Sequence, residues 1–482
     1  MAAFPGGRQT GEMMSQKSVV LGALLLLAGC AGNTPPRSAS ASPSGERVIE
    51  PWKTDPFPST YHAYPGVPTL ITNVTIYDGE GGRIDGGSVL FADGKVQAVG
   101  RNLATPAGAV VIDGTGKWVT PGVIDVHSHL GDYPSPAVKA LSDGNEMTSP
   151  TTPEVWAEHS VWPQDPGFSR ALANGGVTTL QILPGSANLM GGRSVVVKNV
   201  YARTTQGMKF PGAPYGFKMA CGENPKRVYG AKGREPATRM GNIAVDRETW
   251  QQAVEYKRHW DKYEKEGGDP PARSLAMDTL TGVLDGKILV HNHCYRADEM
   301  ANVIDMSKEF GYHVTAFHHG VEAYKVADLL KANDICAVVW ADWYGFKMES
   351  YDGIPENLSI LQKTGTCAMI HSDDENGIQR LNQEVAKAQA AGRRAGILIP
   401  DEVAWEWLSI NPAKALGIAD KTGSLKPGKM ADVVLWNGNP LSVYTRPDKV
   451  WVDGALLYDA HDPKRRPVSD FELGQPGEGD VK

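Results

Sequence analysis

Seven of the twelve histidines stand in or just after short apolar runs, where a strand would end. They are His127, His129, His291, His293, His318, His319 and His371. In the two His-x-His pairs the side chains are two positions apart, so on a strand they point to the same side. Neutral imidazole is a good ligand for zinc and similar ions. One histidine on an apolar strand is usually a core residue, but seven at strand ends predict a metal site.

An aspartate completes one of these ends, in the run His371-Ser372-Asp373. A carboxylate here could contact a metal ion and accept a proton from bound water as a general base. The structural alternative is that Asp373 caps the helix expected to follow. Because the histidines accompany it, we interpret Asp373 as catalytic.

The elements that must position these residues alternate between strands and helices over residues 120–420. Eight strand-like runs occur there: VIDVHSH, VTTLQIL, SVVVKN, GFKMA, KILVHNH, HVTAFHH, DICAVVW and CAMIHSD. This pattern predicts an α/β fold, a (β/α)8 TIM barrel whose active site lies at the carboxyl ends of its strands. Alternating runs split by glycines at 65–119 and 421–461 predict antiparallel strands. We expect them to form one small β-sandwich built from both ends of the chain.

Residues 1–30 have the features of an export signal, with Lys17 ahead of a short apolar run. The sequence Leu-Ala-Gly-Cys ending at Cys30 is typical of a lipobox, in which the cysteine is lipidated. An ordinary signal peptide cut nearby is the alternative. The preferred interpretation is an exported, periplasmic or outer-membrane lipoprotein. Residues 31–64 then form a flexible linker, rich at first in Ala, Ser and Pro, and 462–482 form a C-terminal tail.

The overall composition excludes some partners. A net charge of −7 and a pI near 6.0 give no basic face for nucleic acid. The apolar run of the signal is too short to span a bilayer, so a lipid anchor is the only membrane contact expected. Four further cysteines, Cys221, Cys294, Cys336 and Cys367, fit no zinc spacing. We expect small buried residues, of which two could pair in an exported protein.

In combination the motifs resemble the amidohydrolase superfamily over residues 67–460. VTPGVIDVHSHL is similar to its first-strand metal motif, and GGVTTLQ to its second strand. HVTAFHHG resembles the sixth-strand ending, which places the ligand on His319 rather than His318, and MIHSDD resembles the eighth-strand aspartate, Asp373. NPAKALGIADKTGSLKPGKMADVVLWNGNPL is very similar to the family's closing segment. The branch that looks most similar holds imidazolonepropionase and Xaa-Pro dipeptidases.

Two ligand positions stay open. Many members of the superfamily carry a carboxylated lysine on the fourth strand, and Lys218 in GFKMA stands in its place. Other members use a glutamate, for which Glu223 is available. A lysine inside a barrel strand needs a reason, because burial of its charge is costly. On the fifth strand we favour His291 as the metal ligand and His293 as a catalytic residue that contacts the substrate, but the reverse is possible.

The resemblance implies a metal-dependent hydrolase that cleaves a carbon–nitrogen bond with metal-activated water. About two zinc ions per chain are expected, held by His127, His129, Lys218, Glu223, His291, His319 and Asp373. A dipeptide or N-acyl amino acid is the expected substrate. The alternatives are a cyclic amide hydrolase resembling imidazolonepropionase, a deaminase, or a binding lipoprotein that has lost catalysis. Homo-oligomers are common in the superfamily and are compatible with this chain.

Residues for substrate binding are sought in the loops that follow the barrel strands. A glycine-rich loop at 185–193 carries Asn188 and Arg193, which could reach a substrate, although an ordinary turn is an equal alternative. Tyr229 follows Glu223 and could help to bind a carboxylate. Trp340 and its aromatic neighbours near the seventh strand could line an aromatic pocket.

Overall fold

The computed structural model describes residues 48–135 and 137–466. The predicted export signal with Cys30, the first half of the predicted linker and the end of the predicted tail lie outside these residues. The second half of the linker, residues 48–64, is described and is not free of the fold as predicted: Trp52 is 6% exposed, and its ring lies 5.6 Å from that of Trp260. Within them, no helix combines the length and apolar character needed to cross a membrane. The described strands are β1 (Thr69–Tyr77), β2 (Arg83–Ala92), β3 (Lys95–Gly100), β4 (Val110–Asp113), β5 (Trp118–Pro121), β6 (Val123–Ser128), β7 (Val177–Ile182), β8 (Met190–Lys198), β9 (Tyr215–Ala220), β10 (Ile288–Cys294), β11 (Val314–His319), β12 (Cys336–Val339), β13 (Ala368–Ile370), β14 (Val433–Trp436), β15 (Pro447–Val452) and β16 (Ala455–Asp459).

One sheet joins both ends of the chain, in the order β16-β15-β14-β5-β1-β2-β3, with β4 also paired to β1. The long strand β1 pairs in parallel with β4 through its first half and with β5 through its second half. The sheet is therefore mixed and not antiparallel as predicted, because alternation and turns specify strands but not their direction. Phe91 from one end of the chain packs on Trp451 from the other, 5.4 Å between ring centroids, in a core of its own.

The second sheet is the barrel, with the eight predicted strands in the order β6 to β13. All neighbours are parallel except β8, which is antiparallel to both β7 and β9. Residues 183–189, which connect β7 to β8, are too few for a helical crossover of a dozen or more residues, so the chain must turn back as a hairpin. The barrel prediction is confirmed, with one strand reversed.

Side chains close the barrel between its first and last strands. The Asp125 carboxylate, in the middle of β6, accepts hydrogen bonds from the Ser372 amide at 3.2 Å and from the Ser372 hydroxyl, just beyond β13. The Asp373 amide donates to the His127 carbonyl oxygen at 3.1 Å. Burial raises the pKa of Asp125 to about 7. These contacts bring the end of β13 against the end of β6, where the histidines lie.

The helices cover the barrel and fill its loops. They are α1 (Pro166–Gly175), α2 (Thr205–Met208), α3 (Glu223–Gly230), α4 (Arg239–Glu266), α5 (Leu275–Leu284), α6 (Ala297–Phe310), α7 (Ala327–Ala332), α8 (Asn357–Thr364), α9 (Leu381–Arg394), α10 (Asp401–Ala404) and α11 (Ile410–Ala415). The longest of them, α4, is rich in charged residues of both signs and lies between the fourth and fifth barrel strands, β9 and β10.

Local capping also positions the loop beside the site. Pro166 opens α1, and the Asp165 carboxylate accepts from the Gly167 amide at 2.9 Å, as a capping residue does. The same carboxylate accepts from the Gly131 amide at 2.8 Å and the Ser135 amide at 3.1 Å. One side chain therefore starts the helix and holds the chain that follows His129.

Two disulfides join neighbouring barrel strands. Cys221 with Cys294 lies at the carboxyl ends of β9 and β10, and Cys336 with Cys367 lies at the opposite ends of β12 and β13. The sequence predicted buried cysteines and allowed for pairing without giving the partners. Each bridge restricts the unfolded chain and so favours the folded barrel.

A buried ion cluster ties the barrel to the mixed sheet. Lys198, at the end of β8, is fully buried, and its ammonium lies 2.9 Å from Asp432 Oδ1 and 2.9 Å from Asp453 Oδ2. The Thr422 hydroxyl donates to Asp432 at 2.7 Å. Because the two aspartates are also buried, each depends on this ammonium for its charge.

We predict that Lys198→Met lowers the free energy of unfolding by about 3–5 kcal/mol, because it leaves two buried carboxylates without their cation. Urea unfolding followed by circular dichroism measures this change. The matched control is Arg83→Met, which breaks the exposed pair of Arg83 with Asp85, 3.0 Å apart, and should cost less than about 1 kcal/mol. Equal effects of the two variants would contradict a structural role for the buried cluster.

Candidate active site

The histidines meet at the carboxyl ends of the barrel strands, as predicted. β6 carries His127 and is followed by His129; β10 carries His291 and His293; β11 ends in His318 and His319; His371 and Asp373 follow β13. All but His129 and Asp373 are almost completely buried. Because parallel strands end at one rim, residues separated by more than two hundred positions become neighbours.

Asp373 lies at the centre of this group. Its Oδ1 is 3.2 Å from His127 Nε2 and 3.2 Å from His129 Nε2, and its Oδ2 is 3.9 Å from His319 Nδ1. The capping alternative does not apply to Asp373, because the next residue, Asp374, accepts from the amides of the turn that follows. Asp373 is thus free to face the histidines.

Two site residues adopt left-handed backbone conformations that favour glycine. His319 has a φ of 70° and Asp373 a φ of 63°. Such conformations in larger residues carry strain and often occur at functional sites. At His319 the turn brings two successive rings inward: His318 lies 4.8 Å from the His127 ring and His319 lies 4.9 Å from it.

Hydrogen bonds fix the direction of several rings. His129 Nδ1 is 2.8 Å from the Leu183 carbonyl oxygen, so its Nε2 faces Asp373. His318 lies between two other histidines, with its Nδ1 2.8 Å from His127 Nδ1 and its Nε2 2.9 Å from His291 Nδ1. This support of ligands by outer contacts is usual in metal sites.

The remaining nitrogens fit the requirements of a metal ion. Six buried ring nitrogens lack a hydrogen-bond partner among the described residues, and they belong to His291, His293, His319 and His371. Ligand atoms of His127, His319 and His371, and separately of His127, His129 and Asp373, lie within 4.8 Å of one another. Burial lowers the pKa of His371 to about 3, which keeps the ring neutral, the form that binds metal.

The geometry separates the two candidates for the bridging ligand. Lys218 is 1% exposed, and its Nζ is 3.4 Å from His127 Nε2. Burial lowers the pKa of Lys218 to about 7, so a large fraction is a neutral amine near neutral pH. Glu223 lies apart, at the start of α3, with its carboxylate 3.9 Å from Lys347 Nζ. The interpretation of Glu223 as a metal ligand is corrected, because its charge is paired outside the histidine cluster.

The preference for His291 over His293 as the fifth-strand ligand stays a prediction, but the geometry gives a reason to favour His293. His291 Nδ1 is 2.9 Å from His318 Nε2, which leaves only its Nε2 without a partner among the described residues. The His293 ring is 4.4 Å from the His319 ring, and neither of its nitrogens has a partner in the described structure. Both point inward as their spacing predicted, but His293 is the one beside the ligand cluster.

Two of the three predicted substrate residues hold a loop instead. The buried Asn188 amide donates to the carbonyl oxygens of Glu146 at 2.6 Å and Ser149 at 2.8 Å. The hydroxyl of the buried Tyr229 donates to the same Ser149 carbonyl at 2.6 Å. Both residues are therefore used in fixing residues 146–149, which follow β6, and the substrate role is corrected for both.

Arg193 lies on the outer face of the barrel. Its neighbour Gly192 pairs with the inward Lys218, so alternation along β8 directs Arg193 outward. There its Nε donates to the Thr279 hydroxyl at 2.8 Å, and its guanidinium lies 3.9 Å from the centroid of the Trp156 ring. It cannot contact a substrate at the histidine cluster, and this prediction is corrected.

Four aromatic side chains extend from the histidine cluster toward solvent and form an aromatic wall: Tyr295, Trp340, Trp343 and Phe346. The Trp340 ring is 4.4 Å from His319 and stacks on Trp343 at 5.5 Å. Tyr295 stacks on His319 at 5.1 Å, and Phe346 is 59% exposed at the outer end. The sequence predicted an aromatic lining here from Trp340 and its aromatic neighbours, of which Trp343 is one. It missed Tyr295 and Asp125, although each lies two residues from a histidine already identified.

The sequence and the fold of this chain are similar to those of known proteins. A model of the amidohydrolase family matches residues 118–457. The chain belongs to the amidohydrolase family. It is therefore a hydrolase acting on carbon–nitrogen bonds.

This chain is 31% identical over 432 residues to amidohydrolase tasK of Hapsidospora irregularis. The matched region is 82% of this chain but only 43% of tasK, so the chain spans less than half the length of that relative. It is 26% identical over 429 residues to a dihydroorotase of Ligilactobacillus salivarius, covering 77% of this chain and 89% of that enzyme. A solved amidohydrolase structure from Thermotoga maritima matches with a TM-score of 0.75 at 36% identity, over 81% of this chain and 100% of that one.

We predict that Lys218→Ala lowers metal content by about one ion per chain, because a four-coordinate site tolerates the loss of a ligand poorly. Elemental analysis of the purified amidohydrolase measures the content. Glu223→Ala is the matched control and should retain the metal. Loss of metal from the glutamate variant alone would reverse the assignment made from the geometry.

Proposed function

We propose that this amidohydrolase cleaves the amide bond of a dipeptide or N-acyl amino acid that carries an apolar or aromatic group. The observation that carries the proposal is the position of Asp373, which faces His127 and His129 beside buried, unpartnered ring nitrogens. The aromatic wall next to the same cluster supports the choice of an apolar group on the substrate.

The donor set suits zinc, since imidazole nitrogens and a carboxylate are its usual ligands. The residues that would hold metal are His127, His129, Lys218, His293, His319 and Asp373, with His371 close by. A divalent ion, when bound, supplies a water whose pKa falls toward ~7 and polarises the scissile carbonyl.

Lys218 has a second role in the proposal, as a carboxylated residue that would help to hold metal. Its neutral amine would attack the carbon of CO2, forming a carbamate and releasing one proton. The burial that lowers the pKa of Lys218 favours this reaction, because only the neutral amine is a nucleophile. The product is an anion placed among neutral histidines, which are suited to share metal with it.

Asp373 would move the proton. Burial opposes its ionisation, but the hydrogen bond with His129 and the nearby histidines lower the pKa of Asp373 below its ordinary value. It is therefore a carboxylate, the form that can accept a proton from the attacking water, and its low pKa favours return of that proton to the leaving nitrogen. His129, held through Nδ1 by Leu183, keeps the carboxylate in place.

The part of the site beside the aromatic wall would bind a substrate by apolar contact more than by charge. Lys347 lies 4.0 Å from the centroid of the Tyr295 ring, and its ammonium is 3.2 Å from Glu349 Oε2 and 3.9 Å from Glu223 Oε1. The nearby cation is thus balanced by two acids. The exposed rings of the wall remain as the surface on which a substrate side chain or acyl group would pack.

A cyclic amide is the second candidate substrate. It is favoured by the similarity to an enzyme named dihydroorotase, which covers most of both chains. The same Asp373 would then return its proton to a ring nitrogen. Direct comparison of the two substrate classes decides between the candidates.

We predict that Asp373→Asn lowers turnover by about 10³-fold or more while the variant stays folded, because the amide cannot accept the proton. Release of amino acid from dipeptides and N-acyl amino acids with aromatic or small groups, and ring opening of dihydroorotate, measure the activity. The matched control is Asp374→Asn, which changes the neighbouring acid that holds the next turn and should keep most of the turnover. Full activity of the Asp373 variant would refute the mechanism, and turnover of the cyclic amide alone would refute the substrate.

We further propose that the chain is exported and anchored by lipid on Cys30. The lipobox-like sequence supports this, and so do the two disulfides, which persist in oxidising compartments. In a Gram-negative host, the protein should be found in the detergent phase of the membrane fraction, and Cys30→Ser should move it to the aqueous phase. Recovery of the unaltered chain in the cytosol with reduced thiols would contradict the proposal.

A further inference from the structure

A cavity of about 870 Å³ lies outside the active site, between α6 and the first half of α4. Two ion pairs span these helices beside it: Arg239 with Asp298 at 2.8 Å, and Arg247 with Glu309 at 2.5 Å. None of the histidines, nor Lys218 or Asp373, lines it. The cavity is large enough for a small organic molecule.

Two buried carboxyl groups line this cavity without a full set of partners. Asp246 is 3% exposed and Glu299 is 6% exposed. Asp246 Oδ1 and Glu299 Oε2 have no hydrogen-bond partner among the described residues. Burial raises the pKa of Glu299 to about 7 and that of Asp246 well above its ordinary value. A buried polar oxygen without a partner is costly, so a ligand that donates hydrogen bonds would be stabilising.

The charge of the lining favours a cation. Its acidic residues are Asp246, Asp298, Glu299, Asp305 and Glu309, and its basic residues are Lys226, Arg239 and Arg247. Five carboxylates against three cations leave two negative charges when all are ionised. The two arginines are paired with Asp298 and Glu309 across the helices, and the attraction of Arg239 for Glu299 does not offset the burial that raises the pKa of Glu299.

The two buried acids lie at opposite ends of the cavity. Glu299 is in the first turn of α6, near the Arg239 pair. Asp246 precedes Arg247 on α4 and lies near Tyr312, which follows α6: burial raises the pKa of Tyr312, and the Asp246 carboxylate raises it further. Asp246 comes seven positions after Arg239 on α4, a rise on the order of 10 Å. One ammonium group cannot reach both acids, but two groups on one chain can.

The rest of the lining describes the body of the ligand. Ile243 and Met306 lie between the ends, with Met240 beside them, and no aromatic ring lines the cavity. A quaternary ammonium is normally held by aromatic faces, whereas a primary ammonium donates three hydrogen bonds. No group of metal-ligating atoms in the described chain falls here. The lining thus suits an alkyl chain with a primary ammonium at each end.

We propose that this cavity binds a linear aliphatic diamine, with one ammonium on Glu299, the other on Asp246 and the alkyl chain on Ile243 and Met306. The ligand carries two positive charges, which match the excess of acids in the lining. Its binding would ionise the two carboxyl groups and pair each of them with a cation. The site is separate from the hydrolytic one and does not depend on the proposed substrate.

Calorimetry of the metal-loaded protein with 1,8-diaminooctane tests the proposal, with octylamine and 1,8-octanediol as ligands of similar length. The diamine should bind about tenfold or more tightly than either, because each buried charge pair contributes strongly. Asp246→Asn and Glu299→Gln should each reduce diamine affinity to about that of octylamine. Asp305→Asn is the control: it removes an exposed acid of the same lining and should change affinity less than about twofold.

Equal binding of the diamine and the diol would overturn the proposal, as would full diamine affinity in both buried-acid variants. Competitive inhibition of hydrolysis that survives Glu299→Gln would place the diamine in the active site, which is also against it. Ile243→Trp fills the cavity without touching a charge and should abolish binding. Melting temperatures of all variants check whether each is folded. If Asp246→Asn does not fold, Ile243→Trp and Glu299→Gln still test the proposal.

Discussion

The exclusion of water from a cluster of imidazole rings is the constraint on which the rest of this structure depends. A buried ring nitrogen needs a partner, and here the partners are other rings, a backbone carbonyl and Asp373. Since burial also keeps the rings neutral, the negative charge of Asp373 and the amine of Lys218 define the electrostatics of the site. The nitrogens that remain without partners define where metal belongs.

The backbone is shaped to meet this constraint. Left-handed conformations at His319 and Asp373 bring in side chains that a regular strand would direct elsewhere. Such strain persists only where the surroundings hold it. Asp125 and Ser372 provide that support, because their hydrogen bonds fix the last strand to the first immediately beside the rings. The contacts that close the barrel are therefore the same ones that support the site.

Much of the site could be predicted because its signal is local. A spacing of two on a strand places His127 with His129 and His291 with His293, whatever the rest of the fold does. Asp373 could be identified for the same reason. The choice between Lys218 and Glu223 could not be made, because it depends on which of two nearby residues meets histidines far away in the chain.

Other features depend on distant contacts that no local pattern contains. The apolar run of β8 does not show its direction or the outward side of Arg193; the short connection at 183–189 does, but only once the start of β8 at Met190 is known. Asn188 and Tyr229 have suitable groups in suitable loops, but their donors are used by residues 146–149. The disulfide partners, likewise, follow from strand neighbours and not from spacing.

The reversed strand has a consequence for how this enzyme can diversify. The rim of the barrel beside β8 is a tight hairpin whose polar groups are committed to holding the adjacent loop, so a substitution there disturbs the scaffold. Across the mouth, the segment that carries Trp343 and Phe346 exposes its side chains to solvent. New substrate specificities would therefore arise by substitutions in the segment with Trp343 and Phe346, while the connection beside β8 stays unchanged.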